Sequence, residues 1–168
     1  MIRFLILTLL CMSSAFAQSS ITVGFSRGQP SAKDVVLQAV GDARESLYIA
    51  AYQFTSKDII QAVVAAKQRG VRVAVVLDRS QKNGDSQAVL VASGIECQID
   101  YKYRIMHHKF IVVDQRHVET GSFNYSQAAD KSNAENVLYL KNALDLAAKY
   151  KAQWDLLNDS ASPCIGGG

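Results

Sequence analysis

The sequence predicts an α/β fold, a mixed and mostly parallel β-sheet with helices on both faces. Short apolar segments alternate with amphipathic helical segments through the first hundred residues, which is typical of right-handed βαβ units. Two further apolar segments joined by a short polar turn indicate an antiparallel hairpin. We expect one domain over residues 18–168, because a chain of this length suits a single core.

The predicted elements follow from the spacing of apolar residues and from helix-end signals. Ser31 and Asp34 form a capping box that begins the first helix. The second helix begins at Ser56 and ends before Gly70, and an apolar stripe marks a last helix that Asn142 is expected to cap. Strands are predicted at 21–25, 47–54, 71–77, 95–99, 106–113, 117–120 and 135–140.

Residues 1–17 have the organisation of a secretory signal peptide. Arg3 precedes the apolar segment 4–12, and a small-x-small cleavage sequence ends at Ala17. The apolar segment is too short to span a bilayer. We expect cleavage after Ala17, a periplasmic or secreted protein, and no stable membrane association after cleavage.

Charge and cysteine content set further limits. The formal net charge is only +3, so a polyanion site requires local clustering of cations. Cys97 and Cys164 either form a disulfide or remain isolated thiols, and the sequence favours neither alternative. No spacing of histidines, cysteines or carboxylates resembles a metal site, so we expect no metal and no cofactor.

The pattern H-x-K-x4-D-x6-G-S-x-N, which begins at His107, is the most informative feature of the chain. Side chains alternate along a strand, so His107 and Lys109 should emerge on one side and His108 and Asp114 on the other. An imidazole beside a fixed positive charge suits attack on a phosphodiester. His108 and Asp114 are therefore interpreted as structural.

This pattern resembles the signature of the phospholipase D superfamily. The short chain, the export signal and the pair Glu135-Asn136 resemble its small bacterial Nuc-type endonucleases. The resemblance covers nearly the whole mature chain and implies a phosphodiesterase. The absence of a metal-ligand cluster, with Lys109 beside His107, predicts that catalysis needs no divalent metal. The matching glutamate in that family is thought to orient the histidine, so Glu135 is expected to accept a hydrogen bond from His107.

Three residues of the pattern are candidates for binding phosphate. Lys109 would bind an oxygen as a point charge, Ser122 would donate a hydroxyl and Asn124 an amide N–H. Gly121 is interpreted as a structural residue that lets the backbone come close.

A segment immediately before the pattern interleaves aromatic and cationic side chains. It is a candidate surface for stacking bases and holding a strand backbone, or an ordinary solvated strand edge. Arg79 and Lys82 are weaker candidates of the same kind. The segment consists of Tyr101, Lys102, Tyr103 and Arg104.

Phosphodiester hydrolysis through a covalent phosphohistidine requires two imidazoles. One ring cannot attack phosphorus with its lone pair and protonate the leaving oxygen in the same step. The chain has a single H-x-K, and His117, after a turn and without a companion lysine, is expected at the surface. A second His107 from another chain would complete the site, which predicts a homodimer with a composite site on its two-fold axis.

Three functions compete. The first is an exported endonuclease that acts on DNA, with RNA as an open alternative. It is expected to be sequence-nonspecific, because no base-reading element is recognisable. The second is a phospholipase D or cardiolipin hydrolase of the same superfamily. An exposed apolar lid would favour this function, and the mature sequence shows none. The third is a nonenzymatic nucleic-acid-binding module, which the complete set of candidate catalytic residues disfavours.

Overall fold

The computed structural model describes residues 18–164, so the predicted signal peptide lies outside the described residues. These residues form an eight-stranded sheet, five α-helices and a 3-10 turn at Arg79–Gln81. The strands are β1 Ser20–Phe25, β2 Ser46–Ala51, β3 Arg72–Asp78, β4 Glu96–Asp100, β5 Lys109–Val113, β6 His117–Gly121, β7 Asn136–Lys141 and β8 Ser162–Pro163. The helices are α1 Ala32–Asp42, α2 Lys57–Gln68, α3 Asp85–Ala92, α4 Gln127–Lys131 and α5 Leu144–Ser160.

The strand order is β1-β7-β6-β5-β2-β3-β4-β8, and the sheet is mixed. The α/β class is confirmed, but the sheet is not mostly parallel. Among the described strands only the pairs β2–β3 and β3–β4 are parallel, and the other neighbouring pairs are antiparallel. Helical crossovers make the parallel pairs, whereas β5, β6 and β7 follow one another as antiparallel neighbours and β1 and β8 join the two edges.

Helices cover both faces of the sheet, as predicted. On one face α1 and α2 bury apolar side chains against alternate residues of the central strands, including Val36, Val63 and Ile49. On the other face α5 packs Trp154 against Tyr48, and the indole N–H donates a 2.9 Å hydrogen bond to the carbonyl of Ile49. The alternation of side chains along each strand thus places two separate cores on one sheet.

Two helix starts differ in how well the sequence predicts them. The capping box of Ser31 and Asp34 is present, with both reciprocal hydrogen bonds. The prediction that Asn142 caps the last helix is wrong, since α5 begins at Leu144 with Ala143 at the cap position. Asn142 lies in the left-handed region with φ of 53°, and its side chain donates to the carbonyl of Gln18.

Cys97 and Cys164 form a disulfide with a Cα–Cα distance of 5.3 Å. It joins the end of the described chain to β4, where the backbone N–H of Cys164 donates to the carbonyl of Cys97 at 2.9 Å. The short strand β8 therefore covers the free edge of β4. In the described part of the chain, no helix has the length and apolar character needed to cross a bilayer.

The ends of β2 and β6 and the starts of β5 and β7 lie together along one edge of the sheet, which is named the site edge. Ala51 at the end of β2 pairs with Lys109 at the start of β5. Gly121 at the end of β6 pairs with Val137 near the start of β7. Because antiparallel neighbours enter and leave at the same edge, the H-x-K and G-S-x-N segments meet there although they are separate in sequence.

Candidate active site

His107 lies just before β5 rather than within it, so the predicted strand at 106–113 is three residues too long. The pairing of β5 with β2 begins at Lys109. The two side chains still meet, because the ammonium of Lys109 lies 3.0 Å from Nδ1 of His107 and donates to the His107 carbonyl at 2.8 Å. The imidazole is exposed and the lysine is 8% exposed, so a buried cation supports an accessible ring.

Tyr52, at the end of β2, completes the surroundings of this pair. Its ring centroid lies 4.5 Å from that of His107 and 5.3 Å from the ammonium of Lys109. Burial lowers the pKa of Lys109, and the nearby carboxylate of Glu135 opposes that shift. Sequence reasoning missed Tyr52, although its position after a buried strand at the same edge was the available signal.

The carboxylate of Glu135 binds the G-S-x-N segment and not His107. It accepts a 2.5 Å hydrogen bond from the hydroxyl of Ser122 and a 2.9 Å bond from the amide of Asn133. Within residues 18–164 no hydrogen bond joins Glu135 to His107, so the expected contact is absent from this chain. The backbone N–H of Glu135 donates a 2.8 Å hydrogen bond to the hydroxyl of Ser26, which holds this segment next to the end of β1.

Gly121 and Ser122 lie where β6 meets β7. A Cβ at Gly121 would collide with the carbonyl oxygen of Asn136 and lie 2.9 Å from Cα of Val137, so only glycine allows this approach. The backbone N–H of Ser122 donates to Asn136 at 3.0 Å, and its hydroxyl accepts from the Asn136 N–H at 3.1 Å. Ser122 is therefore fixed at the rim, with its hydroxyl between β7 and Glu135.

Asn124 is half-buried, and its side-chain Oδ1 is fully buried with no partner among the described residues. An unpaired buried amide oxygen is costly, and as an acceptor it cannot bind a phosphate oxygen, so a phosphate contact of Asn124 would have to come from its amide N–H. The next residue anchors the segment, because the carbonyl of Tyr125 accepts 2.8 Å bonds from the backbone N–H groups of Thr55 and Ser56. Asn124 is thereby held beside the end of β2.

A cleft of about 330 Å³ opens beside His107. One wall comes from β5 and β6, and the other comes from α5. His108 lies in this cleft, edge-on to Phe110 at 5.6 Å, and burial together with the neighbouring Lys109 lowers its pKa. The cleft is lined by His107, His108, Lys109, Phe110, Thr120, Gly121, Lys149, Tyr150 and Gln153.

Asp114 lies at the opposite edge of the sheet from His107. It adopts a φ of 50° in the turn between β5 and β6. Its carboxylate accepts hydrogen bonds of 2.8–3.2 Å from the backbone N–H groups of Arg44, Glu45 and Ser46. This carboxylate joins the hairpin turn to the start of β2, at the opposite ends of the strands from His107.

His117 is half-buried rather than on the surface. Its Nδ1 accepts a 2.8 Å hydrogen bond from the backbone N–H of Asn142, and burial lowers its pKa. Like Asp114, it stabilises a turn far from the H-x-K segment.

The segment of alternating aromatic and cationic residues, 101–104, lies at the site edge, directly after β4. Tyr101 and Tyr103 are each 44% exposed. The ammonium of Lys82 lies 6.0 Å from the Tyr101 ring, so the loop after β3 joins this surface. The buried carboxylate of Asp78 accepts a 2.7 Å bond from the N–H of Met106 and fixes the segment next to His107.

No group of three or more histidine, cysteine or acidic side chains in residues 18–164 is placed to hold a metal ion. Metal-independent catalysis stays a prediction.

A family model described as "Cardiolipin synthase, PLD-like domain" matches residues 36–157, which include the whole H-x-K to G-S-x-N pattern. The chain belongs to the phospholipase D superfamily. Its relatives include proteins named phospholipase D and cardiolipin hydrolase, and this chain is a phosphodiesterase of that superfamily. The expected resemblance is confirmed at this level.

Individual superfamily members agree with this assignment. A phospholipase D from Rickettsia bellii is 37% identical over 143 residues, which cover 84% of this chain and 70% of that protein. Human mitochondrial cardiolipin hydrolase is 40% identical over 117 residues, which cover 68% of this chain and 46% of that protein. The crystal structure of Nuc, a phospholipase D family member from Salmonella typhimurium, is 36% identical with a TM-score of 0.84 and covers 89% of this chain and all of that one.

Proposed function

We propose that this phosphodiesterase is an exported, sequence-nonspecific endonuclease that cleaves DNA, and RNA as a second substrate. The observation that carries the choice of nucleic acid is the surface formed by residues 101–104 at the site edge. Two half-exposed tyrosines beside lysine ammonium groups provide stacking faces and positive charge next to His107. No base-reading motif is recognisable in the sequence, which supports recognition through the backbone.

Hydrolysis would proceed in two steps at His107. A neutral imidazole attacks phosphorus, forms an N–P bond and releases the leaving oxygen, which takes a proton from a second imidazole. That second ring then removes a proton from water, and the resulting hydroxide cleaves the N–P bond to release phosphate and free histidine. Lys109 and the Asn124 amide would stabilise charge on the non-bridging oxygens.

The contact between Lys109 and His107 bears on which ring plays each part. An ammonium can only donate, so Nδ1 of His107 accepts from Lys109 and the neutral ring carries its proton on Nε2. A ring in this form donates a proton and does not attack through Nε2. A phosphate that binds Lys109 would draw the ammonium from Nδ1, which frees that nitrogen to take the proton and leaves Nε2 as the nucleophile.

The second imidazole would come from a second copy of this chain in a homodimer. An exposed apolar stripe on β1 supports this part of the proposal. Ile21, Val23 and Phe25 are 63%, 43% and 57% exposed and lie on one face of an edge strand. The stripe ends next to Ser26, which holds Glu135, so a partner that covered it would lie close to the site.

The alternative function is a phospholipase D or cardiolipin hydrolase, which the names of the relatives favour. Against it, the α5 wall of the cleft carries the polar groups of Lys149 and Gln153, although Phe110 and Tyr150 also line the cleft. A nonenzymatic binding module would have no use for the buried cation of Lys109 against His107.

One set of assays on the purified mature chain tests the proposal. Plasmid DNA, structured RNA and vesicles that contain cardiolipin are each incubated with the protein, with and without excess EDTA. We expect DNA cleavage that survives the chelator and no release of phosphatidate from vesicles. Release of phosphatidate without DNA cleavage would overturn the proposal in favour of the lipid hydrolase, and loss of DNA cleavage with EDTA that Mg²⁺ restores would overturn its metal independence.

A further inference from the structure

The cleft beside His107 has a second wall whose residues the reaction described above does not use. Lys149 and Gln153 lie four residues apart on α5 and therefore on one face of that helix. Both line the cleft opposite β5. Lys109, at the other side of the same cleft, is the cation assigned to the scissile phosphate.

Contacts with the sheet hold this wall in place. The ring of Tyr150 packs edge-on against Phe110 with centroids 5.0 Å apart. Its hydroxyl lies 3.4 Å from the hydroxyl of Thr120, which in turn contacts the carbonyl of Lys109 at 3.4 Å. The spacing between the α5 wall and the H-x-K segment is thus fixed by packing and not by a mobile loop.

Lys149 is exposed, and among residues 18–164 it makes no ion pair. The neighbouring Lys151 differs, because its ammonium binds Asp155 at 2.6 Å and lies 4.3 Å from the ring of Tyr48. Two lysines therefore line one cleft without a carboxylate on its α5 wall. Such a cleft attracts an anion with more than one charged centre.

We propose that this cleft binds the phosphate next to the scissile one in a polynucleotide, with Lys149 contacting its oxygens and Gln153 donating its amide N–H. The assignment rests on the proposed endonuclease function and adds a specific subsite to it. Adjacent phosphates of one strand would offer one anion to each lysine, since a polynucleotide carries one charge on every linkage. His108 adds a neutral hydrogen-bonding group to the same wall as Phe110.

The test uses substrates that differ only in the flanking charge. Trithymidylate has two phosphodiester linkages, and two analogues replace one or the other linkage with a neutral methylphosphonate. Bis(p-nitrophenyl) phosphate provides a diester with no flanking phosphate. Lys149→Ala is compared with wild type and with Lys67→Ala, which removes the same charge from the last turn of α2 on the other face of the sheet.

In one of the two analogues the neutral linkage is the one that flanks the cleaved bond. We expect wild type and Lys67→Ala to cleave that analogue with a kcat/KM about fivefold lower than for trithymidylate. Lys149→Ala should cleave trithymidylate about fivefold more slowly than wild type and be insensitive to that replacement. All three proteins should hydrolyse bis(p-nitrophenyl) phosphate equally. On long DNA, Lys149→Ala should also reduce the slope of log affinity against log salt by about one.

Two results would overturn the subsite. In the first, Lys149→Ala retains the wild-type preference for a charged flanking linkage. In the second, the kcat/KM of Lys149→Ala falls by the same factor on bis(p-nitrophenyl) phosphate as on trithymidylate. Failure of the endonuclease proposal looks different, because wild type would then hydrolyse bis(p-nitrophenyl) phosphate and leave trithymidylate and DNA intact.

Discussion

The hydroxyl of Tyr125 donates a 2.6 Å hydrogen bond to the carboxyl group of Glu119, and both side chains are fully buried. Glu119 lies on β6, and Tyr125 follows Asn124 directly, so this bond joins the sheet to the phosphate-binding segment. Burial raises the pKa of Glu119 to about 8, although the Tyr125 hydrogen bond opposes the shift. The carboxyl is therefore protonated in the native state at neutral pH.

Glu119→Gln should change how stability depends on pH. The folded pKa of about 8 lies above the unfolded value, so wild type is most stable, relative to the variant, below the unfolded pKa. Between the unfolded pKa and pH 8, Glu119 ionises in the unfolded chain but stays protonated in the native chain. The free energy of unfolding of wild type therefore falls by up to about 1.4 kcal/mol per pH unit relative to Glu119→Gln. Urea unfolding at pH 5, 6, 7 and 8 measures this. Parallel stability curves for the two proteins would contradict it.

Gly121→Ala should destabilise the protein and impair catalysis, because the new Cβ collides with the carbonyl of Asn136. Overpacking of this kind costs about 1–3 kcal/mol, and the strand shift it forces would move Ser122. Gly41→Ala is the matched control, since a Cβ there meets nothing within 4 Å and the residue lies in α1. The control should gain about 0.5–1 kcal/mol by urea unfolding and keep full activity. Equal effects of the two substitutions would refute the steric argument.

The H-x-K to G-S-x-N pattern could be predicted from sequence because its contacts depend on local spacing and not on where the strands begin and end. His107 and Lys109 are two residues apart, and a long flexible side chain reaches the ring even though the strand begins later than expected. The partner of Glu135 could not be predicted in the same way. It depends on Ser26 and Asn133, which reach the site from other parts of the chain.

The proportion of parallel pairing and the α5 wall were missed for a related reason. Periodicity marks which segments are strands, but the positions of β1 and β8 at the sheet edges depend on long-range pairing. On α5, Lys149 is one of several surface lysines in sequence. Only the docking of Tyr150 against Phe110 shows that Lys149 lines the cleft and Lys151 does not.

Asp114→Asn should lower stability without changing turnover. Asparagine tolerates the positive φ of this turn, so the substitution isolates the loss of a charged acceptor for the N–H groups of Arg44, Glu45 and Ser46. We expect a cost of about 1–3 kcal/mol in urea unfolding. The turnover number should match wild type below the unfolding transition, because the turn lies at the edge away from His107. A large fall in kcat for folded protein would show that Asp114 acts in catalysis.

His107→Ala should remove nearly all turnover while binding to DNA persists, since Lys109 and the segment 101–104 remain. His108→Ala should retain measurable turnover, because its ring packs edge-on against Phe110 in the cleft, whereas the Lys109 ammonium binds Nδ1 and the carbonyl of His107. Initial rates on plasmid DNA, together with a gel-shift measurement of binding, separate the two effects. The reverse pattern, with His108 essential and His107 dispensable, would show that the nucleophile is His108 and not His107.

Mixing of active and inactive chains tests the composite site. If two His107 rings serve one reaction, a heterodimer of wild type and His107→Ala has no complete site, although half of its histidines are intact. In such a site one ring would attack phosphorus while its mate donates a proton to the leaving oxygen.

After random exchange at equal concentrations, activity per wild-type chain should therefore fall to about half, since half of the wild-type chains pair with inactive partners. Mixing with Lys67→Ala, which keeps its histidine, controls for exchange itself and should leave the activity unchanged. Light scattering at the assay concentration should give the mass of two chains. A monomer mass with full activity, or activity that is unaffected by His107→Ala chains after exchange is demonstrated, would place both proton transfers within one chain and require a second acid among its own residues.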